Sequence, residues 1–378
     1  MLNRLAKTIK YRKYYIARAK LLIGYHLKGD DGSLSHPNSV GISVNNVCNL
    51  RCVMCDIGQQ NASNEYYKNL KSQGQLLSLE DIKTFIDDIA PYSPSIIVHS
   101  TEPLLYNHII ELSEYIIKKG LVYSITTNGY LLDQFAEAFV KMGLPAINIS
   151  IDGPPAIHNQ VRGVQDSFEK ALQGIEKLIE WKKRLQQAVP VITITSTILN
   201  TNAAYLTETV SIFKKVGVDN VKFTHFNFID ERMANKHNEV FGHIHQVSTS
   251  SVGKVNPKEM DIKVLIGQIQ RIKTELPKSF VSFSPDITDS HMLFQYYNRP
   301  ENFLMKRRCL APWTNLQLLS NGDVIPAARC FNYIYGNIKK TPFSKVWKSE
   351  RAKTFRKELK KIGAAPACSR CCGLFSSI

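Results

Sequence analysis

Residues 48–55, Cys-Asn-Leu-Arg-Cys-Val-Met-Cys, are the segment that decides the fold. The cysteines Cys48, Cys52 and Cys55 have the spacing C-x3-C-x2-C and follow an apolar run at 40–44 that predicts a strand. Three thiolates on one loop can bind three irons of a [4Fe-4S] cluster and leave the fourth iron open to another ligand. Zinc is the alternative, but structural zinc takes four ligands, and no fourth Cys or His lies nearby in the sequence. The spacing therefore predicts an iron-sulfur cluster on the loop after the first strand.

Short apolar runs alternate with amphipathic stretches after this loop. Five further strands are predicted at 95–99, 122–126, 146–151, 191–198 and 221–226, with helices at 79–89, 109–119, 132–142, 168–185 and 206–216. This alternation predicts an α/β fold with a parallel sheet and helical crossovers. Polar motifs at the C-terminal ends of the strands favour a partial (β/α)6 TIM-like barrel over an open sheet.

Size and cysteine placement exclude several classes of protein. The 378 residues contain no run of 18 apolar residues and no signal-peptide pattern, which predicts a cytoplasmic protein. The eight cysteines lie within 48–55 and 309–372. Clustered cysteines without a secretion signal favour metal binding over disulfides.

The net charge of +16 is partly local. Residues 1–28 hold eight Lys or Arg and no acid, with apolar positions between them, and predict a basic amphipathic helix. A second basic run spans 345–361. Solvated helix faces are the favoured interpretation, and peripheral contact with the inner membrane surface or another anionic partner is the alternative. No nucleic-acid-binding signature accompanies the charge, so no nucleic acid partner is expected.

A second set of cysteines occurs in the C-terminal part of the chain. Cys309 and Cys330 bracket an Asn-Gly turn at 321–322 between strand-like runs at 316–319 and 324–328, which predicts a β-hairpin. A Cys-x2-Cys pair with a further adjacent cysteine follows at 368–372. Four converging thiolates suit either zinc or an iron-sulfur cluster.

With these motifs the chain resembles the radical S-adenosylmethionine (SAM) superfamily over residues 40 to about 225. The resemblance implies that the first cluster binds SAM and cleaves it to a 5′-deoxyadenosyl radical. The turn Ser100-Thr101-Glu102-Pro103 stands where the family has Gly-Gly-Glu-Pro, which implies that Glu102 accepts the SAM ammonium. The other SAM contacts that the resemblance implies lie between the cluster cysteines and at successive strand ends: Met54, Thr127, Asn128, Ser150, Asp152 and Arg162.

The C-terminal part resembles the SPASM/twitch extension, which carries auxiliary [4Fe-4S] clusters. Its five cysteines are too few for two clusters, which need about seven or eight. One auxiliary cluster is therefore expected, with Cys309, Cys330, Cys368 and Cys371 as ligands. Cys372 is interpreted as the spare, and the choice between Cys371 and Cys372 stays open.

The predicted organisation is a basic extension (1–39), the barrel (40–229), a connecting segment that covers the barrel mouth (230–306) and the auxiliary-cluster domain (307–378). The predicted activity is hydrogen abstraction for net oxidation of a small-molecule, sugar or glycan substrate, with the auxiliary cluster as electron acceptor. Flavodoxin or ferredoxin is the expected reductant. The predicted extension at 1–39 is shorter than the roughly 80 residues of a leader-binding domain, and this difference disfavours a peptide substrate.

Alternatives to this activity are a redox-neutral epimerase, a peptide-modifying maturase, and a non-enzymatic iron-sulfur or zinc protein. No catalytic residue is identified from the sequence. His225, Asp230 and Tyr335 are polar candidates for a general base near the predicted site loops.

Overall fold

The computed structural model describes Ile16, Ala19 and residues 36–72, 76–305, 308–326 and 332–376. The predicted basic helix at 1–28 and the predicted ligand Cys330 lie outside the described residues, apart from Ile16 and Ala19. The described strands form one ten-stranded sheet in the order β10-β9-β8-β1-β2-β3-β4-β5-β6-β7. The strands are β1 (Ser39–Ile42), β2 (Ser95–Val98), β3 (Val122–Thr127), β4 (Ala146–Ser150), β5 (Val191–Ile198), β6 (Asn220–His225), β7 (Val281–Ser284), β8 (Asn315–Leu318), β9 (Asp323–Pro326) and β10 (Gly336–Asn337).

Helices connect and cover these strands. They are α1 (Glu65–Ser72), α2 (Leu79–Ile89), α3 (Ile109–Lys118), α4 (Leu132–Lys141), α5 (Pro155–Arg162), α6 (Ser167–Arg184), α7 (Leu206–Val216), α8 (Glu231–Phe241), α9 (Ile262–Glu275), α10 (Ser290–Asn298), α11 (Ala311–Thr314), α12 (Phe343–Trp347), α13 (Glu350–Ile362) and α14 (Cys372–Ser376). No helix in the described ranges is both long and apolar enough to cross a bilayer.

The parallel part of the sheet confirms the predicted α/β fold. Strands β1 to β7 pair in parallel in sequence order. The first six of them lie within about two residues of the predicted positions. Along β2 to β5 the side chains alternate between buried and partly buried, most extensively along β5. Period-two burial of Val and Ile is the pattern that favours a strand, which is why the sequence located these elements.

Helix ends follow local sequence signals. Ser78 caps α2: its hydroxyl accepts from the backbone N–H of Asp81, and the Asp81 carboxylate accepts from the backbone N–H of Ser78. This reciprocal pair satisfies two otherwise unpaired donors at the helix start. The apolar stripe Ile82, Phe85, Ile86 and Ile89 then faces the core. The same Ser78 cap and stripe explain why the predicted and observed bounds of this helix agree.

The segment between β6 and the hairpin contributes a strand that the sequence did not indicate. Strand β7, which follows α9 and precedes α10 in the chain, pairs with β6 and extends the parallel sheet. It has only four residues, bounded by Pro277 and Pro285. So short a run, with serine at every second position, carries little periodic signal. The segment 230–306, predicted to connect the two domains and to cover the barrel mouth, therefore also contributes a strand to the sheet.

The C-terminal hairpin is continuous with the barrel sheet. Strands β8 and β9 form the antiparallel pair predicted around the Asn-Gly turn, and Gly322 in that turn has φ +93°. Strand β8 also pairs in parallel with β1, in the register Gly41 to Gln317 and Ile42 to Leu318. The hairpin predicted as part of a separate module thus shares an edge with the strand that leads to Cys48.

Candidate active site

One cavity of about 410 Å³ opens at the C-terminal ends of the strands. The structure brings together in its wall most of the residues predicted to bind SAM or iron: Cys48, Cys52, Met54, Cys55, Glu102, Thr127, Asn128, Ser150, Arg162 and Cys371. Cys48 and Cys371, which are 323 positions apart in the chain (371 minus 48), both line this cavity. This convergence is the geometric basis for a cofactor site.

The first cysteine loop is braced by the end of α5. The backbone N–H of Arg51 donates to the Arg162 carbonyl at 3.0 Å, and that of Val53 donates to the Val161 carbonyl at 2.9 Å. Gly163 has φ +71°, and a Cβ there would lie 2.7 Å from the Arg51 carbonyl oxygen. Glycine is therefore required where the loop and the helix end approach. These contacts fix the loop that holds the three thiols.

Burial disfavours ionisation of two of these thiols in the absence of a metal. It raises the pKa of Cys48, and it raises the pKa of Cys52 to about 12 although the Arg162 charge opposes the rise. A bound metal reverses this balance because a coordinated thiol is deprotonated. In the described part of the chain no three Cys, His, Asp or Glu side chains are placed to hold a single metal ion.

A buried ion pair sets the position of Arg162. Its Nη2 lies 2.6 Å from Oδ2 of Asp152, which is fully buried, and its Nη1 lies 3.7 Å from the Cys52 sulfur. The other carboxylate oxygen of Asp152 accepts from the Thr197 backbone N–H at 2.8 Å. Asp152 lies outside the set of cavity-lining residues, whereas Arg162 belongs to it. This carboxylate holds Arg162 toward the cavity, and the predicted contact of Asp152 with SAM stays a prediction.

Glu102 is a buried carboxylate with three internal donors. Its Oε1 accepts from the Thr127 hydroxyl at 2.7 Å and the Leu104 backbone N–H at 2.9 Å, and its Oε2 accepts from the Asn128 backbone N–H at 2.8 Å. Burial raises its pKa, and these donors oppose the rise. A carboxylate offers about four acceptor positions, so about one is left for a ligand. Glu102 is thus pre-oriented to accept from a cationic group in the cavity.

Asn128 links this carboxylate to the cysteine loop. Its side-chain Nδ2 donates to Oδ1 of Asn49 at 2.8 Å and lies 4.0 Å from the Cys48 sulfur. The turn predicted from Thr-Asn-Gly therefore supports both the acidic residue and the first thiol. Donors near cluster sulfurs are among the groups that adjust a cluster's potential.

The segment before α9 packs against the cysteine loop. Asp56 accepts from the Ser250 hydroxyl at 2.7 Å and from the Ser251 backbone N–H at 3.1 Å. Both serines line the cavity, with Asn227 and Phe228 from the loop after β6. The sequence did not identify these wall residues because nothing in their local pattern distinguishes them from an ordinary polar loop.

The C-terminal cysteines Cys309, Cys368 and Cys371 are buried. Arg370 lies between the last two in the sequence and makes five hydrogen bonds, all to backbone carbonyls, of Gln295, Tyr296, Arg299, Asn302 and Ser369. Burial lowers its pKa to about 10, so it stays protonated at neutral pH. Because four of these carbonyls belong to α10 and the residues after it, Arg370 ties the segment of Cys368 and Cys371 to that helix.

None of the proposed general-base candidates lines the cavity. His225 is fully buried with Nδ1 2.8 Å from the Tyr297 hydroxyl, and burial lowers its pKa to about 3. Asp230 caps α8 and pairs with Arg232. Tyr335 is buried beneath the C-terminal helices, and burial raises its pKa. Among the described residues, His99 is the histidine in the cavity wall. It directly follows β2, which is the one signal that could have indicated it.

Two known families match parts of the chain. Residues 42–193 match the radical SAM superfamily, and residues 309–372 match SPASM, an iron-sulfur cluster-binding domain. Among solved structures, Streptococcus suis SuiB covers 90% of this chain and 73% of its own, with TM-score 0.61 and 15% identity. Native anSMEcpe with bound AdoMet covers 84% of this chain and 82% of its own, with TM-score 0.57 and 18% identity. At such identities the likeness shows the fold alone.

Curated relatives resemble shorter stretches. Fe-coproporphyrin III synthase of Methanosarcina barkeri is 33% identical over 135 residues, which are 35% of this chain and 32% of that protein. AdoMet-dependent heme synthase of the same organism is 31% identical over 173 residues, 45% of each chain. Pre-heme d1 synthase of Dinoroseobacter shibae is 24% identical over 310 residues, 79% of this chain and 70% of that protein. This chain spans less than half the length of the first two.

We predict that Glu102→Gln weakens SAM binding by roughly 10- to 150-fold while the iron content is unchanged, because a charge-assisted hydrogen bond contributes about 1.5–3 kcal/mol. Thr127→Val is the matched variant: it removes one internal donor, keeps the carboxylate and should weaken binding only a few-fold. Equilibrium dialysis of SAM against the anaerobically reconstituted proteins measures both. Equal affinity of the wild type and Glu102→Gln would show that the ammonium binds elsewhere.

Proposed function

Because the chain belongs to the SPASM-domain branch of the radical SAM superfamily, we propose that it cleaves SAM and abstracts a hydrogen atom from a substrate held in the cavity of about 410 Å³. The observation that carries the proposal is that this one cavity is lined by all three cysteines of the first loop and by Cys371 of the C-terminal set. The substrate would then lie between the groups bound by the two cysteine sets.

The family domains imply SAM and two [4Fe-4S] clusters as cofactors. When bound, the first cluster supplies the electron that cleaves SAM to a 5′-deoxyadenosyl radical, and the auxiliary cluster supplies an acceptor for a substrate electron. Cys48, Cys52 and Cys55 would hold the first cluster. Glu102 accepts the SAM ammonium, and Arg162, fixed by its buried carboxylate partner, offers its charge to the SAM carboxylate.

We propose a net oxidation of a polar small molecule, sugar or glycan. The cavity wall offers hydroxyl and amide groups from Thr197, Asn227, Ser250 and Ser251, and such groups hydrogen-bond hydroxylated ligands. Oxidation of an alcohol also releases the hydroxyl proton. His99 lies in the same wall and is the proposed acceptor of that proton.

A peptide-modifying activity is the second candidate. The similar solved structures include SuiB bound to the precursor peptide SuiA and anSMEcpe bound to a Cp18Cys peptide. A redox-neutral epimerase and a non-enzymatic iron-sulfur protein are further alternatives. Incubating the reduced protein with SAM and either polyols and sugars or peptides, and measuring 5′-deoxyadenosine, distinguishes them. Turnover with peptides alone would replace the proposed substrate class, and no SAM cleavage at all would favour a binding protein.

The reductant and the location of the protein stay predictions. Flavodoxin or ferredoxin is proposed as the electron donor, as the chemistry of SAM cleavage requires a low-potential reductant. Peripheral contact with the membrane through the basic residues 1–28 is proposed as an alternative to a solvated helix face.

We predict that Cys48→Ala, Cys52→Ala and Cys55→Ala each abolish SAM cleavage, because each removes one of the three ligands of the SAM-binding cluster. The one further cysteine in the described cavity wall is Cys371, which belongs to the C-terminal set. Chromatographic detection of 5′-deoxyadenosine after dithionite reduction measures this. The control is Asn61→Ala, whose amide bonds Asp56 at 2.8 Å and whose side chain lies outside the cavity wall. This variant should keep SAM cleavage. Activity that survives in any of the three cysteine variants would refute the ligand assignment.

We predict about eight irons and eight sulfides per chain after reconstitution, since two [4Fe-4S] clusters hold four each. Cys371→Ala should lower the iron content to about four, whereas Cys372→Ala should leave about eight. Iron, sulfide and zinc analysis of the three proteins decides it. About four irons plus one zinc in the wild type would make the C-terminal site a zinc site. If Cys372→Ala lowers the iron content and Cys371→Ala does not, Cys372 is the ligand and Cys371 is the spare cysteine.

We predict that Arg370→Gln lowers the midpoint potential of the auxiliary cluster. Arg370 is buried and shares the cavity wall with Cys371. A positive charge near a cluster favours the reduced cluster, which carries one more negative charge. Arg370→Lys keeps the charge and should restore most of the potential, and Lys357→Gln, an exposed cation of α13, should leave it unchanged. Potentiometric titration followed by electron paramagnetic resonance, on proteins with full iron content, measures the shift. An unchanged potential in Arg370→Gln would show that the arginine acts only on packing.

A further inference from the structure

Ser100 has a backbone conformation that side chains rarely adopt. It lies two residues after β2, at the start of the Ser-Thr-Glu-Pro turn, and has φ +98°. For a residue with a Cβ this region is strained, and glycine occupies it without cost. The resembled motif carries glycine at this position. The serine conformation therefore needs support from its surroundings.

That support comes from Gln317 of the C-terminal hairpin. Its Nε2 donates to the Ser100 hydroxyl and also to the Ser43 hydroxyl at 2.8 Å. The Ser100 hydroxyl lies 3.3 Å from Nδ1 of His99. Gln317 is 3% exposed, so water competes little for these bonds.

The strand opposite Gln317 is shaped to admit this network. Gly41 of β1 is the register partner of Gln317. A Cβ on Gly41 would lie 2.5 Å from Nε2 of His99 and 3.4 Å from Oε1 of Gln317. The missing side chain in β1 leaves the space in which the histidine and the glutamine approach Ser100.

The residues after Ser100 continue to the cofactor site. The Thr101 hydroxyl donates to the Asn45 carbonyl at 3.1 Å, and the Glu102 backbone N–H donates to the Val47 carbonyl at 3.1 Å. Both acceptors lie just before Cys48. The orientation of the Glu102 carboxylate therefore depends on the turn that Ser100 begins.

We propose that Gln317 is a positioning residue: through Ser100, the C-terminal hairpin holds the Ser-Thr-Glu turn in the conformation that presents Glu102 to SAM. The inference rests on the proposed function in taking SAM as the ligand of Glu102. It adds that the SAM site is complete only when the hairpin is in place. Glycine at position 100 would not need this support.

The test is a double-mutant cycle of Gln317→Met and Ser100→Gly in the full chain, with SAM affinity measured by equilibrium dialysis. Gln317→Met should weaken SAM binding by roughly two- to tenfold in the wild-type background, the range expected for a lost neutral hydrogen bond. In the Ser100→Gly background the same substitution should have little effect. The matched control Gln268→Met removes a glutamine that bonds Thr207 instead, and should leave affinity unchanged.

Equal weakening by Gln317→Met in both backgrounds would overturn the proposal, because Gln317 would then act by direct contact or through the cavity wall. No effect in either background would overturn it as well. A thermal-unfolding cycle of the same four proteins is the second measurement: Gln317→Met should lower the Tm more with serine than with glycine at position 100. If the wild type binds no SAM, the proposed function fails, and the unfolding cycle alone decides whether Gln317 supports Ser100.

Discussion

The parallel pairing of β1 with both β2 and β8 is the constraint on which the site depends. Strand β1 leads into the loop of Cys48, β2 leads into the turn of Glu102, and β8 begins the hairpin of the C-terminal module. The carboxyl ends of parallel strands meet at one edge of a sheet, which is where ligands bind in such folds. One central strand therefore aligns the loop of the first three cysteines, the turn of Glu102 and the module that holds the auxiliary cysteines.

Buried arginines then determine the electrostatics of the cavity. Arg162 lies between the Asp152 carboxylate and the Cys52 sulfur, and Arg370, which shares the cavity wall with Cys371, has backbone carbonyls as its acceptors. A buried charge is costly unless another charge compensates it. The Asp152 carboxylate provides that compensation for Arg162, and a thiolate at Cys52 would add to it. The cavity is therefore suited electrostatically to a deprotonated, metal-bound thiol at its first cysteine loop.

The sequence predicted the elements whose signal is local. Six strands and five helices were located because Val and Ile alternate along strands such as β5 and because Ser78 and Asp81 form a recognisable cap. The same local signals missed β7, which has four residues. They also missed Gln317, a polar residue in an apolar strand, whose hydroxyl partners Ser100 and Ser43 lie in the turn after β2 and the loop after β1. The ion pair of Asp152 with Arg162 could not be predicted either, because an aspartate that contacts a cofactor and one that orients an arginine look alike in the sequence.

The exchange of Gly-Gly for Ser-Thr shows why motif and fold must be considered together. A non-glycine residue in the left-handed region costs about 1–3 kcal/mol, and in isolation Ser100 would argue against a working SAM turn. The hydrogen bond from Gln317, 217 residues away in sequence, offsets part of that cost. The serine side chain whose Cβ creates the strain also carries the hydroxyl that accepts the stabilising bond. A glycine at position 100 would relieve the strain but would remove that link between hairpin and turn. The departure from the motif and the pairing of β8 with β1 are therefore two parts of one arrangement, in which the C-terminal module takes over a task that the glycine backbone performs by itself.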